Sequence, residues 1–204
     1  MSVIYTTITK DYIAICADKQ ATHTVTGRIQ NGVTKIEKWA QNIVVGQCGT
    51  RPLTEMMLSA VKSFVDEEGI DNYTLEDIAE TCCQAYYAAR TEYEDMPKEA
   101  IAKIVVAGKL ENGQLGAILV YATNDEADIE IHEAQSYPST LILEPDDVSS
   151  EICNELYRRA LAITKKPEMG HQDLLETVHR KAVRFVAQRS KFVSKESDYI
   201  VIIK

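Results

Sequence analysis

Hydrophobic positions in the first 50 residues fall in short unbroken stretches rather than at helical spacing. Val3 to Ile8 is β-rich, and Lys10-Asp11 follows it as a turn. Tyr12 to Ala17 is an apolar run closed by Asp18, so the two stretches predict a hairpin. Gly27 and Asn31-Gly32 punctuate a third region. Ile43-Val44-Val45-Gly46 predicts a buried strand that ends in Gly46-Gln47-Cys48-Gly49.

The period then changes. Leu53, Met56, Met57, Ala60, Val61 and Phe64 recur at helical spacing, with Pro52 suited to the first turn and Glu67-Glu68-Gly69 at the end. A second helix starts after Thr74 as N-cap, with Asp77 where a capping box would carry Glu or Gln. Its stripe is Ile78, Thr81, Cys82, Ala85, Tyr86 and Ala89, and Pro97 lies beyond its end. Strands return at Ile101–Ala107 and Leu115–Tyr121, joined through Glu111-Asn112-Gly113, then at Ile129–His132 and Thr140–Leu143. A helix over Val148–Thr164 places Ile152, Leu156 and Ala160 on one face. Another over His171–Arg189 carries Leu174, Leu175, Val178, Ala182, Phe185 and Val186. Tyr199 to Ile203 is a last buried strand.

The order is therefore strands, two helices, strands, two helices, strand. Hairpin-joined strands imply antiparallel sheets, and each sheet needs cover on its apolar face. Two packed sheets, each with a helix pair outside, meet both needs. The expected fold is thus α+β, a four-layer α-β-β-α sandwich forming one domain over residues 1–204. Two independent α+β domains are the alternative, although no linker-like composition appears near residue 100 apart from Pro97.

Composition narrows the chemistry. Lys plus Arg number 22 and Asp plus Glu 31, a net charge of −9. An acidic chain repels phosphate backbones, which argues against nucleic acid as the main ligand. No apolar run approaches the ~20 residues of a membrane span, so no membrane partner is expected. Met1-Ser2-Val3-Ile4-Tyr5 has neither the basic nor the apolar region of a signal peptide. The cysteines, Cys16, Cys48, Cys82, Cys83 and Cys153, are odd in number and lack CxxC spacing. They read as buried hydrophobes in a reducing cytoplasm. His23, His132, His171 and His179 show no ligand spacing with them, so no metal and no cofactor is expected.

Three segments carry a resemblance. They are Ala17-Asp18-Lys19-Gln20-Ala21-Thr22, Val33-Thr34-Lys35-Ile36, and Gly46-Gln47-Cys48-Gly49-Thr50 opening a helix. In that order they resemble the proteasome β-subunit family and its bacterial member HslV, whose first segment typically reads G-D-G-Q-A-T. That family has an N-terminal nucleophile (Ntn) hydrolase fold. The resemblance implies that Ser2, sixteen positions ahead of Asp18, is the nucleophile once Met1 is removed. It implies that Lys35 is the lysine beside the nucleophile, that Asp18 orients and neutralises it, and that the Gly49 N–H forms the oxyanion hole. Thr22, Val33 and Cys48 would line the substrate pocket.

The chemistry of such a set is coherent. A serine hydroxyl needs a base to attack an amide. A free α-amino group on the same residue, with a pKa near 8, can supply it. The chain departs from the family in two places. Glu144-Pro145-Asp146-Asp147 stands where the family has a serine-glycine pair, and Ser190 stands where it has an aspartate, with Ser194 nearby. The functional expectation is an Ntn peptidase subunit in a homo-oligomeric ring, cleaving unfolded protein or peptide. No Walker motif is present, so a separate chain would have to supply any ATPase unfoldase. A non-catalytic scaffold and an amidase for a small amide are the alternatives.

Overall fold

The apolar runs that predict the first hairpin form β1 (Ile4–Ile8) and β2 (Tyr12–Asp18), and every residue of both strands is buried. Burial on both faces is why they read as unbroken runs and not as alternation. Thr9 shapes the turn. Its hydroxyl donates to the Tyr12 carbonyl at 2.7 Å and accepts the Tyr12 N–H at 2.9 Å. The structure is a computed structural model and describes residues 2–22, 26–92, 100–123, 126–164 and 169–204. Met1, whose removal is expected, lies outside the described residues, as do His23 and Pro97.

The third region resolves into a short antiparallel ribbon, β3 (Gln20–Thr22) with β4 (Ile29–Asn31), followed by β5 (Ile36–Ala40) and β6 (Ile43–Gly49). Helix α1 (Arg51–Glu68) carries Pro52 in its first turn. It ends at Gly69, whose φ of +87° suits a residue without Cβ and whose N–H bonds the Val65 carbonyl at 2.9 Å. Helix α2 (Leu75–Glu92) begins with a capping box in which aspartate replaces the usual glutamate. Asp77 N–H donates to the Thr74 hydroxyl at 3.0 Å, and the Asp77 carboxylate accepts the Thr74 N–H at 2.9 Å. Strands β7 (Ile101–Lys109), β8 (Leu115–Thr123) and β9 (Glu126–Glu133) make an antiparallel meander. Then come β10 (Ser139–Leu143), α3 (Ser150–Thr164), α4 (His171–Val186) and β11 (Ser197–Ile203).

The chain divides into two compact units. The first comprises Met1–Thr7, Ala14–Ile36 and Thr140–Val201; the second comprises Ile8–Ile13, Glu37–Ser139 and Ile202–Lys204. In the first, Val3, Tyr5 and Cys16 of the hairpin meet Cys153, Leu156 and Ala160 of α3 and Val178, Ala182 and Val186 of α4. In the second, Leu53, Met57 and Val61 of α1 and Ile78, Cys82 and Tyr86 of α2 pack on Val45, Ile104, Val106, Ile118 and Val120.

Two expectations are corrected here. The architecture is not the four-layer α-β-β-α sandwich. It is a mixed α/β fold whose antiparallel sheets hold four strands (β10-β1-β2-β11), two (β3-β4) and five (β5-β6-β7-β8-β9). Periodicity tells a helix which face to bury, but the number and grouping of sheets depend on strand partners distant in the chain. Here β10 joins β1, and β11 joins β2. The second correction concerns α3. It starts at Ser150 and buries Leu156 and Ala160 as expected, but leaves Ile152 37% exposed and buries Cys153 and Thr164 in its place. The seam selects one side of an apolar stripe wider than itself.

Candidate active site

The C-terminal end of β2 delivers the Asp18 carboxylate into the interior, 1% exposed. Its Oδ1 accepts the Val3 N–H at 3.1 Å and Lys35 Nζ at 3.0 Å. Its Oδ2 accepts Lys35 Nζ at 3.1 Å, the Gln20 N–H at 2.9 Å and the Ser194 N–H at 3.1 Å. A carboxylate can be buried as an anion only with such compensation: one counter-charge and three backbone donors. Lys35 is 6% exposed and also donates to the Gln20 carbonyl. It lies on the segment between β4 and β5, next to buried Ile36 at the start of β5.

Ser2 is buried and precedes Val3. Val3 is held at two points, because its carbonyl also accepts the Asp18 N–H at 3.3 Å. The side chain and the backbone of Asp18 thus grip the residue next to Ser2. Thr22, half-buried on β3, accepts Gln20 Nε2 at 2.9 Å. Val33 is half-buried, and its N–H donates to the Lys19 carbonyl at 3.1 Å.

Gly49 and Cys48 end β6 in the second unit. Gly49 has a φ of +121°, and a Cβ there would stand 2.2 Å from the Ile101 carbonyl oxygen. A side chain at this position would push β6 away from β7, so folding by itself requires this glycine. Cys48 is buried and in register with Lys103 of β7. Among the sequence-predicted site residues, Ser2, Asp18, Lys35, Thr22 and Val33 belong to the first unit, and Gly49 and Cys48 to the second.

Several participants carry weak sequence signals. Gln20 supplies an N–H to Asp18 and a carbonyl to Lys35, and its side chain donates to the Lys191 carbonyl at 2.8 Å. Its place two residues after an aspartate, an Asx-turn spacing, is the one local cue. Ser194 gives its N–H to Asp18, and its hydroxyl accepts the Lys19 N–H at 3.1 Å. The two departures noted in the sequence meet each other. The Ser190 hydroxyl donates to Asp147 Oδ1 at 2.7 Å, and the Lys191 N–H donates to Asp147 Oδ2 at 3.0 Å.

No family model matches the chain, and no curated protein matches it. Among solved structures it is similar to the Anbu (Gly-1) mutant from Hyphomicrobium sp. strain MC1, with a TM-score of 0.70 and 11% identity. The match covers 100% of this chain and 82% of that one. At this identity it is the fold that is shared. The resemblance to the proteasome β-subunit family and HslV is corrected accordingly, because the likeness found is to Anbu, which is distinct from both. Short segments of this kind record local geometry, a carboxylate at a strand end or a glycine at a close approach. Ala17 and Lys19 also replace both glycines of the G-D-G-Q-A-T pattern.

Other reactive groups in the first unit are packed away. Burial pushes the Cys16 thiol up to about 12, and it does the same to Cys82 in the second unit. Both are protonated at neutral pH and poor nucleophiles. His179 Nε2 lies 2.9 Å from the Thr7 hydroxyl, but both residues are at most 1% exposed and offer nothing to a substrate. The rings of Tyr5, Tyr157 and Tyr199 surround the imidazole, its Nδ1 has no hydrogen-bond partner among the described residues, and burial holds its pKa down to about 3. Among the described residues, no helix is long and apolar enough to cross a membrane.

Proposed function

We propose that this chain is an amide hydrolase acting on peptides, with Ser2 as an N-terminal nucleophile after removal of Met1. The observation that carries the reading is the buried Asp18–Lys35 pair, whose aspartate also holds the Val3 backbone next to Ser2. A dry, hydrogen-bonded ion pair has no stability advantage over well-packed apolar groups, so keeping it on the residue that follows a buried serine points to chemistry. The fold shared with Anbu supports the reading at the level of architecture.

In this reading the α-amine of Ser2 takes the hydroxyl proton as Oγ attacks the substrate carbonyl carbon. The tetrahedral adduct collapses, the ammonium passes that proton to the leaving amine, and the C–N bond breaks. Ser2 is left as an ester. The amine then takes a proton from water, hydroxide attacks the ester carbonyl, and the C–O bond breaks to release the acid and restore Ser2. The positive charge of Lys35, fixed by Asp18, favours both the neutral amine and the developing oxyanion.

The test is labelling of the full chain with a fluorophosphonate, followed by intact mass and peptide mapping. The expected adduct is on Ser2. Ser2→Ala should remain folded, take no label and hydrolyse no member of a fluorogenic peptide panel. A Met1 retained in nearly all molecules would convert the base into an amide. That result, or a folded Ser2→Ala variant with undiminished hydrolysis, would overturn the assignment.

A further inference from the structure

We infer that Asp147 is a positioning residue for the Asp18–Lys35 centre, acting through the segment 190–194. This rests on the reading of Ser2 as nucleophile, but its structural half stands separately. Asp147 itself is exposed on the stretch before α3, where a carboxylate needs no protein partner. It nevertheless accepts two donors from the segment after α4: the hydroxyl of buried Ser190 and the N–H of Lys191. The Ser190 hydroxyl in turn accepts the Phe192 N–H at 3.0 Å, so the first residues of the segment form one hydrogen-bonded turn on Asp147.

That turn leads to the centre by two routes. The Lys191 carbonyl accepts Gln20 Nε2, and Gln20 supplies its N–H to Asp18 and its carbonyl to Lys35. Three residues after Lys191, the Ser194 N–H donates to Asp18 Oδ2. Two of the three backbone donors on the Asp18 carboxylate are therefore set by a segment whose other end Asp147 holds. The two donors sit on different oxygens of the carboxylate, so Asp147→Asn offers an oxygen to only one of them and turns an NH2 group toward the other. Glutamate keeps both acceptors on a longer arm. In this inference Asp147 acts by fixing where Asp18 and Lys35 sit.

Two measurements on the full chain test this. The first is NMR amide hydrogen exchange at Gln20 and Ser194. The second is the Ser2 fluorophosphonate reaction, resolved into its binding and its saturated rate. In Asp147→Asn, exchange at both amides should rise. The saturated labelling rate should fall between about 10- and 100-fold, the range in which outer partners of a reacting group act, with binding little changed. Asp147→Glu should recover part of the rate and Ser190→Ala should lose part of it. Thermal melting identifies any variant that is simply unfolded. Unchanged exchange at Gln20 and Ser194 in folded Asp147→Asn would overturn the inference whatever the activity. Raised exchange with a wild-type labelling rate would overturn the role in the reaction. Raised exchange in a protein whose wild type takes no label on Ser2 would overturn the proposed function and leave Asp147 established as the support of the Asp18–Lys35 pair.

Discussion

The two units bury different things. The first encloses Ser2, Thr6, Thr7, Asp18, Gln20, Lys35, Thr164, His179 and Ser190, whereas among the described residues the second buries only Thr9, Thr54 and Lys103 of polar or charged type. The core of the second is an apolar seam of two helices on a meander. Its special positions are glycines where backbones approach closely, such as Gly49 and Gly108, where a Cβ would stand 2.3 Å from the Asn42 carbonyl oxygen. The first unit holds its charged groups by hydrogen bonds that must all be made together. The lesson is that one chain of ordinary composition divides its tolerance. The second unit should respond to changes of volume, the first to loss of single donors, acceptors or charges.

The largest expected effect is in the first unit. Lys35→Ala leaves Asp18 with its backbone donors but no counter-charge. Removing one member of a buried ion pair costs about 3–5 kcal/mol, measurable by urea denaturation. Ser2 reactivity should fall by about 10²–10³, the usual cost of losing one fixed electrostatic stabiliser. Lys35→Arg should restore little, since a planar guanidinium does not fit where one ammonium bonds both Asp18 oxygens and the Gln20 carbonyl. Folded Lys35→Ala protein with wild-type stability would break the contrast between the units.

A pH titration sharpens it. Burial depresses the pKa of His179 to about 3 in the folded protein, against roughly 6.5 when unfolded. Between those values the unfolded chain binds the additional proton, so stability is present above about pH 6.5 and is lost as pH falls through that window. By pH 4.5 the loss is about 3 kcal/mol. His179→Gln cannot titrate, and its unfolding free energy should be flatter by that amount from pH 7 to pH 4.5. Parallel pH profiles for the two proteins would show that His179 is not held neutral by burial.

The smallest effect belongs to the second unit. Gly49→Ala places a methyl group against the Ile101 carbonyl at a positive φ. The φ strain alone costs about 2 kcal/mol, and the shift of backbone that relieves the contact adds to it; both are read as a lowered melting temperature. An unchanged melting temperature would remove the folding reason given for that glycine.

Much of the local structure was legible. The Thr74/Asp77 box, Pro52 and Gly69 marked helix ends that lie within a residue or two of those observed, because caps and φ preferences are properties of a few neighbouring residues. The apolar runs of β1, β2, β6 and β11 likewise announce strands by composition alone. The short strands β3 and β4 were not legible as strands: β4 is wholly exposed and β3 mostly half-buried, so neither needs an apolar pattern. Ile152 reads as core by spacing and is exposed, since the breadth of an apolar stripe does not say where the facing helix lies.

At the candidate site the sequence by itself determined which side chains bring charge: an aspartate ending a buried strand and a lysine beside an inward-pointing isoleucine. Only the tertiary structure decided that they meet, and that Val3, Gln20 and Ser194 complete the carboxylate's shell. The reason is physical. Those donors are backbone N–H groups, which every residue but proline carries, so no residue type announces them. Their aim depends on pairings between the two ends of the chain, and local periodicity holds no record of those. The same holds for Asp147 and Ser190. Separately each looks like a departure from a pattern, and only their approach to 2.7 Å makes them one interaction.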